Sequence, residues 1–249
     1  MCGRYALTAN MDVIVEEFGI TDNRIHDPLP INWNIAPTNP IYIIKGAGLN
    51  DGLQRSLDSA SWGMIAPWEK DVAKAVASQS RAINARSESV FEKPTFRNSF
   101  RLHRCLIPAS GYYEWATTLG RYKTKQPFYI HRTDGHLISF AGIFSTWISP
   151  LGKEIQSASV ITRDAVGELA TIHNRMPVML PSNKWDEWLD PSHRDIDYLR
   201  SLLTFHEEQG ERPDAGLSAY PVSSRVNIVA NNGPANIEPL ELGEPETLF

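Results

Sequence analysis

Cys2 carries the most distinctive chemistry in this 249-residue chain. Methionine aminopeptidases generally remove Met1 when the second residue is small, which would leave Cys2 at the amino terminus. Its α-amine and thiol would then occupy adjacent carbons, with reference pKa values of about 7.7–8.0 and about 8.5. Such a 1,2-aminothiol attacks an aldehyde through its amine, and the thiolate then closes a five-membered thiazolidine. Cys2 could instead attack an amide carbonyl as an amino-terminal nucleophile, or be an unreactive cysteine near a frayed end.

A glutamate among aromatic residues is the second candidate. Glu114 lies in the segment 111–115, where Tyr112, Tyr113 and Trp115 surround it. Desolvation by such neighbours raises the pKa of a carboxyl group, and the group can then act as a general acid or base near neutral pH. The alternative is a glutamate that faces solvent from a strand whose aromatic residues point inward.

Two further polar segments contain candidate residues. In 172–177, His173 could share the acid–base chemistry and Arg175 could hold an anion bidentately; a capping histidine and a solvated arginine are the alternatives. In 80–88, alternation along a strand places residues 84, 86 and 88 on one face. Asn84 could orient a nucleophile there and Arg86 could bind phosphate, or the segment could be an ordinary half-exposed strand.

The overall charge conceals a basic region. The chain has 24 basic and 29 acidic residues, a net charge of −5, but four glutamates lie in the last fourteen residues, and the remainder carries −1. Between residues 93 and 132 there are eight Lys or Arg residues and one acid, Glu114. The net charge therefore does not exclude a polyanionic partner.

Several classes are excluded by what the sequence lacks. It contains no CxxC, HExxH, GxSxG or Walker motif, so we predict no metal site and no cofactor. No apolar run is long enough to span a membrane, and no signal peptide is visible. Two cysteines, Cys2 and Cys105, do not make a disulfide framework. We therefore expect a cytoplasmic protein without a membrane partner.

The pattern of elements favours an α+β fold. Short segments rich in β-branched and aromatic residues, separated by turns, predict strands at 41–45, 61–65, 105–108, 112–116, 127–132, 137–147, 157–162 and 177–180. Helices are predicted at 10–18, 164–172, 183–189 and 196–203, and a proline-rich loop at 28–40. We expect a single domain over 1–239, with a curled, barrel-like, mostly antiparallel sheet and peripheral helices, followed by an acidic tail at 240–249.

Seven blocks in this order resemble the SRAP family, the SOS-response-associated peptidase domain of abasic-site processing proteins. The blocks are MCGRY at 1–5, NWNIAP at 32–37, WGMIAPW at 62–68, INARSE at 83–88, CLIPASGYYEW at 105–115, IHNRMPV at 172–178 and PVS at 221–223. The resemblance runs from Cys2 to about Pro239. The segment after Trp68 departs from it, because Glu69 and Asp71 add two acids to that side.

The resemblance implies a single α+β domain that binds single-stranded DNA and crosslinks covalently to abasic sites. It also implies association with the nucleoid when the protein is bound to DNA. It implies that Cys2 forms the crosslink, Asn84 holds its amine, Glu114 transfers protons, and His173 helps to open the sugar ring and reverse the crosslink. The family name implies self-cleavage ahead of Cys2. The residues that the resemblance places against DNA are Arg4, Pro37, Trp68, Arg86, Thr162 and Arg175. Phosphate neutralisation by arginine and base stacking on tryptophan provide an independent physical reason for DNA binding.

Two other function classes remain open from the residues alone. One is an amino-terminal-nucleophile peptidase or amidase that uses Cys2 against amides. The other is a non-covalent module that binds single-stranded DNA. A crosslink to aldehyde-bearing DNA that survives denaturation would distinguish both from the abasic-site reaction.

Overall fold

The structure is a computed structural model, which describes residues 2–49, 52–116, 125–204, 210 and 212–241. The helices are α1 Met11–Glu17, α2 Val72–Gln79, α3 Pro94–Leu102, α4 Leu169–Ile172, α5 Trp185–Leu189 and α6 Ile196–Leu203. The strands are β1 Tyr5–Leu7, β2 Asp22–Asn23, β3 Asn32–Ile35, β4 Pro40–Leu49, β5 Gly52–Trp62, β6 Asn84–Arg86, β7 Arg104–Ala109, β8 Gly111–Ala116, β9 Gln126–Arg132, β10 Ile138–Ile148, β11 Glu154–Asp164, β12 Arg175–Pro177 and β13 Leu217–Pro221.

Five strands close into a barrel in the order β5-β4-β7-β10-β11 and back to β5. Four of the five contacts are antiparallel, whereas the closing contact between β5 and β11 is parallel and pairs Ser61 with Ser157 and Trp62 with Ala158. The short strands β6 and β12 add to β11, and β2 adds to β5. The prediction of an α+β fold with a barrel-like, mostly antiparallel sheet is confirmed.

A second sheet, ordered β13-β9-β8-β1-β3, packs against the barrel and carries the amino-terminal segment. Tyr5 on β1 makes edge contacts with Trp62 and Phe140 of the barrel, at centroid distances of 5.2 and 6.0 Å. Tyr112 on β8 meets the same Phe140 at 5.9 Å. Because these rings are fully buried, they fix the start of the chain against the barrel wall.

The two helices that the sequence locates most accurately, α1 and α6, each begin at a capping residue. Asn10 accepts a hydrogen bond from the backbone of Val13 at the start of α1, and Asp195 accepts one from Tyr198 at the start of α6. Side-chain acceptors at this position satisfy amide groups that otherwise lack a helical partner. The helices predicted at 10–18 and 196–203 are confirmed.

Other local predictions were wrong. The loop predicted at 28–40 contains β3, because Ile35 pairs with Tyr5 of β1. The helix predicted at 164–172 is helical only in α4, and its expected cap, Asp164, instead ends β11. In both cases pairing with a distant strand overrides the local signal.

None of the described helices is long and apolar enough to cross a membrane. The predicted acidic tail at 240–249 lies outside the described residues from position 242 onward. The domain boundary at 239 remains a prediction.

Candidate active site

The first residue of the site is Cys2, which lies just before β1 and is only 2% exposed. Burial, followed by the charge of Glu114, raises the pKa of its thiol well above the ordinary value. The sulfur is therefore protonated at neutral pH, and a base must remove its proton before it can act as a nucleophile.

Glu114 lies on β8, in antiparallel contact with the start of the chain. The backbone of Tyr113 donates to the carbonyl of Arg4 at 3.0 Å, which aligns Glu114 beside the residues that precede β1. Its carboxyl is 3% exposed, and burial raises its pKa to about 7. A carboxyl group with this pKa exchanges protons readily near neutral pH.

Asn84 and His173 approach the same point from two other elements. Asn84 on β6 donates from Nδ2 to the carbonyl oxygen of Cys2 at 2.8 Å, while its Oδ1 is buried without a hydrogen-bond partner among the described residues. His173 follows α4, and its Nδ1 lies 3.9 Å from Oε2 of Glu114. The structure thus brings together the four residues predicted to be catalytic.

The ring of His173 is oriented by its own loop. The backbone amide of Arg175 lies 3.0 Å from Nδ1, and the carbonyl of the same residue lies 3.3 Å from it. The shorter contact is a donated hydrogen bond, so Nδ1 is the acceptor and Nε2 carries the proton of the neutral ring. Burial lowers the pKa of His173, which favours that neutral form.

Arg175 is itself bound to protein acceptors. Its guanidinium group pairs with both oxygens of Glu88 at 2.7 and 3.0 Å, with Asp164 at 2.5 Å, and with the carbonyl of Thr162 at 2.8 Å. Its side chain is largely buried, whereas the carboxylates of Glu88 and Asp164 are exposed. Sequence reasoning missed this partnership, because the three residues come from three separate strand ends. It had also assigned Asp164 to a helix.

Arg4 also makes internal hydrogen bonds. Its NH1 donates to Oδ1 of Asn34 and to the carbonyl of Val226, both at 2.7 Å, and the guanidinium lies 5.9 Å from the ring centre of Trp115. Asn34 in turn donates to three carbonyls between 226 and 231. Arg4 therefore fixes the carboxy-terminal segment onto the strand that follows Cys2.

The remaining predicted DNA contacts differ in exposure. Arg86 is exposed at the end of β6, pairs through its backbone with the buried Thr162, and makes no side-chain ion pair within the described residues. Trp68 is 55% exposed, while Pro37 is half-buried before Thr38. Hydrogen bonds from Thr38 to Trp62 and from Gly63 to Ala158 connect these loops to the closing strands of the barrel.

Comparison with solved structures places this architecture among known folds. A protein from Bacteroides thetaiotaomicron is 25% identical and superimposes with a TM-score of 0.81, covering 96% of this chain and 100% of that one. A protein from Bordetella bronchiseptica is 26% identical, with a TM-score of 0.72 and coverage of 89% and 100%. The chain is therefore a barrel-based α+β protein of the same fold as these two.

Sequence comparison identifies the family. The family model described as SOS response associated peptidase (SRAP) matches residues 1–229. The abasic site processing protein YoqW of Bacillus subtilis is 37% identical over 238 residues, which cover 96% of this chain and 99% of the relative. The abasic site processing protein HMCES of Gallus gallus is 29% identical over 219 residues, which cover 79% of this chain and 61% of the relative. The chain belongs to the SRAP family.

Proposed function

We propose that this protein processes abasic sites in DNA by forming a covalent crosslink through Cys2 after Met1 is removed. The observation that carries the proposal is the convergence of Glu114, Asn84 and His173 on the amino-terminal cysteine. The names of relatives such as YoqW, printed as abasic site processing proteins, support the same substrate. An opened abasic sugar presents the aldehyde that a 1,2-aminothiol captures.

The reaction begins at the amine. The uncharged α-amine of Cys2 adds to the aldehyde carbon, and loss of water gives an imine. The sulfur then adds to the imine carbon while a proton passes to the imine nitrogen, which closes the thiazolidine. Because the thiol is buried and protonated, the amine attacks first and sulfur closes the ring second.

Glu114 accepts and returns the protons of these steps. With a pKa of about 7, it takes a proton from the thiol as the C–S bond forms and donates one to the departing water. Asn84 offers its buried Oδ1 as an acceptor for the α-amine, which directs the lone pair of that amine towards the sugar. His173, protonated at Nε2, acts on the sugar ring oxygen during ring opening and during reversal.

We propose that single-stranded DNA is held mainly by residues that are exposed beside this site. Arg86 neutralises a phosphate, because its guanidinium is exposed and makes no ion pair with any described carboxylate. Trp68 stacks on a base, with Pro37 beside the same strand ends and Thr162 supporting Arg86. Arg4 and Arg175 shape the surface, since their guanidinium groups already bind protein oxygens.

The family description includes a peptidase, which favours cleavage of the chain ahead of Cys2. In this proposal Glu114 takes the proton of the Cys2 thiol, and the sulfur attacks the carbonyl of Met1. The peptide bond breaks, which frees the α-amine and leaves a thioester, and water then hydrolyses the thioester and releases Met1. This self-cleavage prepares the protein for the crosslinking reaction and implies nothing about other protein substrates.

Intact mass spectrometry tests the proposal. Protein incubated with single-stranded DNA containing one abasic site should give an adduct without Met1, equal to protein plus DNA less one water, that survives denaturation. The Cys2→Ala variant cannot cleave itself, but methionine aminopeptidase removes Met1 ahead of a small residue such as alanine. The variant then keeps an α-amine on residue 2 but lacks sulfur, so it should give an adduct only after borohydride reduction. A durable, unreduced crosslink from Cys2→Ala would overturn the mechanism, and salt-sensitive retention without any adduct would indicate a non-covalent binding module.

A further inference from the structure

The basic segment between residues 93 and 132 is not explained by the site around Cys2. Its first part forms α3, which contains no acidic residue and packs its buried face, including Ser99 and Phe100, against β7 and β10. Arg104 follows α3 at the start of β7. The other end of β7, at Ala109, leads into β8, which carries Glu114. The end of α3 and the site around Glu114 are thus at opposite ends of β7. The cations of α3 therefore belong to a different part of the surface.

Three of these cations form one stripe. Lys93, Arg97 and Arg101 are spaced four residues apart, which places them on the same face of the helix, and all three are exposed. At a rise of about 1.5 Å per residue the stripe is about 12 Å long. Within the part of the chain that the structure describes, none of the three lies at ion-pair distance from a carboxylate.

Like charges at this spacing destabilise a helix by about 0.2–0.5 kcal/mol per pair. Nearby acids offset this repulsion little: Glu92 is exposed beside Lys93, and Asp197 on α6 already pairs with Arg200, which lies over Phe91 at 4.4 Å. The stripe thus retains its positive charge in the isolated protein and is suited to an anionic partner.

A cavity beyond the end of the stripe adds one further cation. A space of about 450 Å³ beyond the end of α3 is lined by four cationic side chains, those of Arg24, Lys45, Arg104 and Arg194. Asp22 pairs with Arg24 and Asp58 with Lys45, but neither carboxylate lines the cavity. Arg104 is buried and donates to four backbone carbonyls. Of the four lining cations, Arg194 is therefore the one that is exposed and has no carboxylate partner among the described residues.

The stripe lies within reach of DNA that occupies the site. Lys93 follows Arg86 by seven residues, so the two are at most about 24 Å apart. That distance corresponds to about seven base-pair steps of a duplex at 3.4 Å each. A strand that contacts Arg86 can therefore continue to α3 within one turn of a double helix.

We propose that Lys93, Arg97, Arg101 and the exposed Arg194 beyond the end of the helix, together the α3 surface, bind the phosphate backbone of DNA outside the reacting segment. The inference rests on the proposed function for the identity of the polyanion. Arginine and lysine neutralise backbone phosphates without reading sequence, which suits a protein that must act wherever an abasic site occurs. The α3 surface extends the contact along the strand and adds nothing to the covalent chemistry.

Salt-dependent binding to DNA of two lengths tests this assignment. The short probe is single-stranded DNA of about 5 nucleotides, within the size of one small binding site, and the long probe adds a duplex arm of about 15 base pairs. Arg97→Gln/Arg101→Gln removes two contacts, so the salt slope for the long probe should fall by about 1.4–1.8 and its affinity at 0.1 M salt by about 30-fold. Binding of the short probe and its crosslinking rate should not change.

The control, Arg132→Gln/Lys153→Gln, removes the half-buried Arg132, which pairs with Asp134, and the exposed Lys153. It should leave both probes unaffected. Equal losses on both probes, equal losses in the control, or an unchanged long-probe slope would each overturn the α3 surface. A wild-type protein that binds long DNA more tightly through α3 yet forms no crosslink on either probe would overturn the proposed function and leave this surface intact.

Discussion

At the scale of single residues, Glu114 combines a function with a cost in stability. Its pKa is about 7 in the folded protein, against about 4.3 for a glutamate in an unfolded chain. Between these values the native state binds more protons than the unfolded state, so the free energy of unfolding falls as pH rises from about 4.5 to about 7. A shift of this size corresponds to a loss of about 3–4 kcal/mol above pH 7.

Glu114→Gln should therefore stabilise the protein at alkaline pH. The neutral amide avoids burying a charge, so the free energy of unfolding at pH 8 should rise by up to about 3–4 kcal/mol, with little change at pH 4. Urea denaturation at the two pH values measures this difference, with the exposed Glu92→Gln as control. A gain that is equal at both pH values would contradict the assigned pKa.

The same variant should lose activity. Removing a positioned acid or base typically slows a reaction by about 10²–10⁴-fold, whereas DNA affinity should hold because Glu114 bears no positive charge. In the wild type the crosslinking rate should rise through pH of about 7 as the carboxyl ionises. Glu114→Gln should lose that rise and keep only the rise near pH of about 8 from deprotonation of the α-amine. Single-turnover crosslinking across pH 5–9 provides the measurement.

The arginines should separate into two groups. Arg86→Gln should reduce the salt slope of single-strand binding by about 0.7, one phosphate contact. Arg175→Gln should leave that slope unchanged and lower stability by about 1 kcal/mol, since the carboxylates of Glu88 and Asp164 that lose their partner are exposed. DNA-binding titrations at several salt concentrations distinguish the two variants. A reduced salt slope in Arg175→Gln would show that Arg175 contacts a phosphate.

Local sequence identified the reactive chemistry at this scale, because the chemistry is intrinsic to a residue and its neighbours. The aminothiol of Cys2 and the aromatic surroundings of Glu114 are both visible in the order of residues, and the structure places them together. The guanidinium partners of Arg175 were not visible, because Glu88 and Asp164 come from two other strand ends.

At the scale of elements, Arg104 fixes the junction between α3 and β7. Its guanidinium is buried and donates to the carbonyls of Phe100, Arg101, Trp188 and Asp190. These carbonyls end two helices, where the negative pole of the helix dipole favours a cation. Sequence reasoning missed α3, since Lys93 provides no side-chain cap and the helix begins at a proline.

Replacement of Arg104 should be among the most destabilising changes in the chain. Arg104→Met keeps the volume but leaves four carbonyls without their shared donor, at a cost of about 3–5 kcal/mol. Arg101, three residues earlier, is exposed, so Arg101→Met should change stability by less than about 0.5 kcal/mol. Chemical denaturation compares the two, and similar values would show that the buried cation contributes little.

At the scale of the whole molecule, closure of the barrel could not be predicted from the sequence. Strand segments and the α+β class follow from composition and alternation, but the parallel contact of β5 with β11 joins residues nearly 100 positions apart. That contact sets where β6 and Asn84 meet the start of the chain. Long-range pairing of this kind leaves no periodic signal in either strand.

Gly63, directly after β5, makes that closure possible. Its φ is +114°, and a Cβ there would lie 2.3 Å from the carbonyl oxygen of Gln79 at the end of α2. Gly63→Ala must therefore strain the backbone and displace α2, which should cost about 3 kcal/mol or more. Gly152→Ala also has positive φ, +78°, but open space around it, so it should cost only about 1 kcal/mol. Denaturation of both variants separates the clash from the backbone strain, and crosslinking should slow only in Gly63→Ala, because that closure holds Asn84 on Cys2.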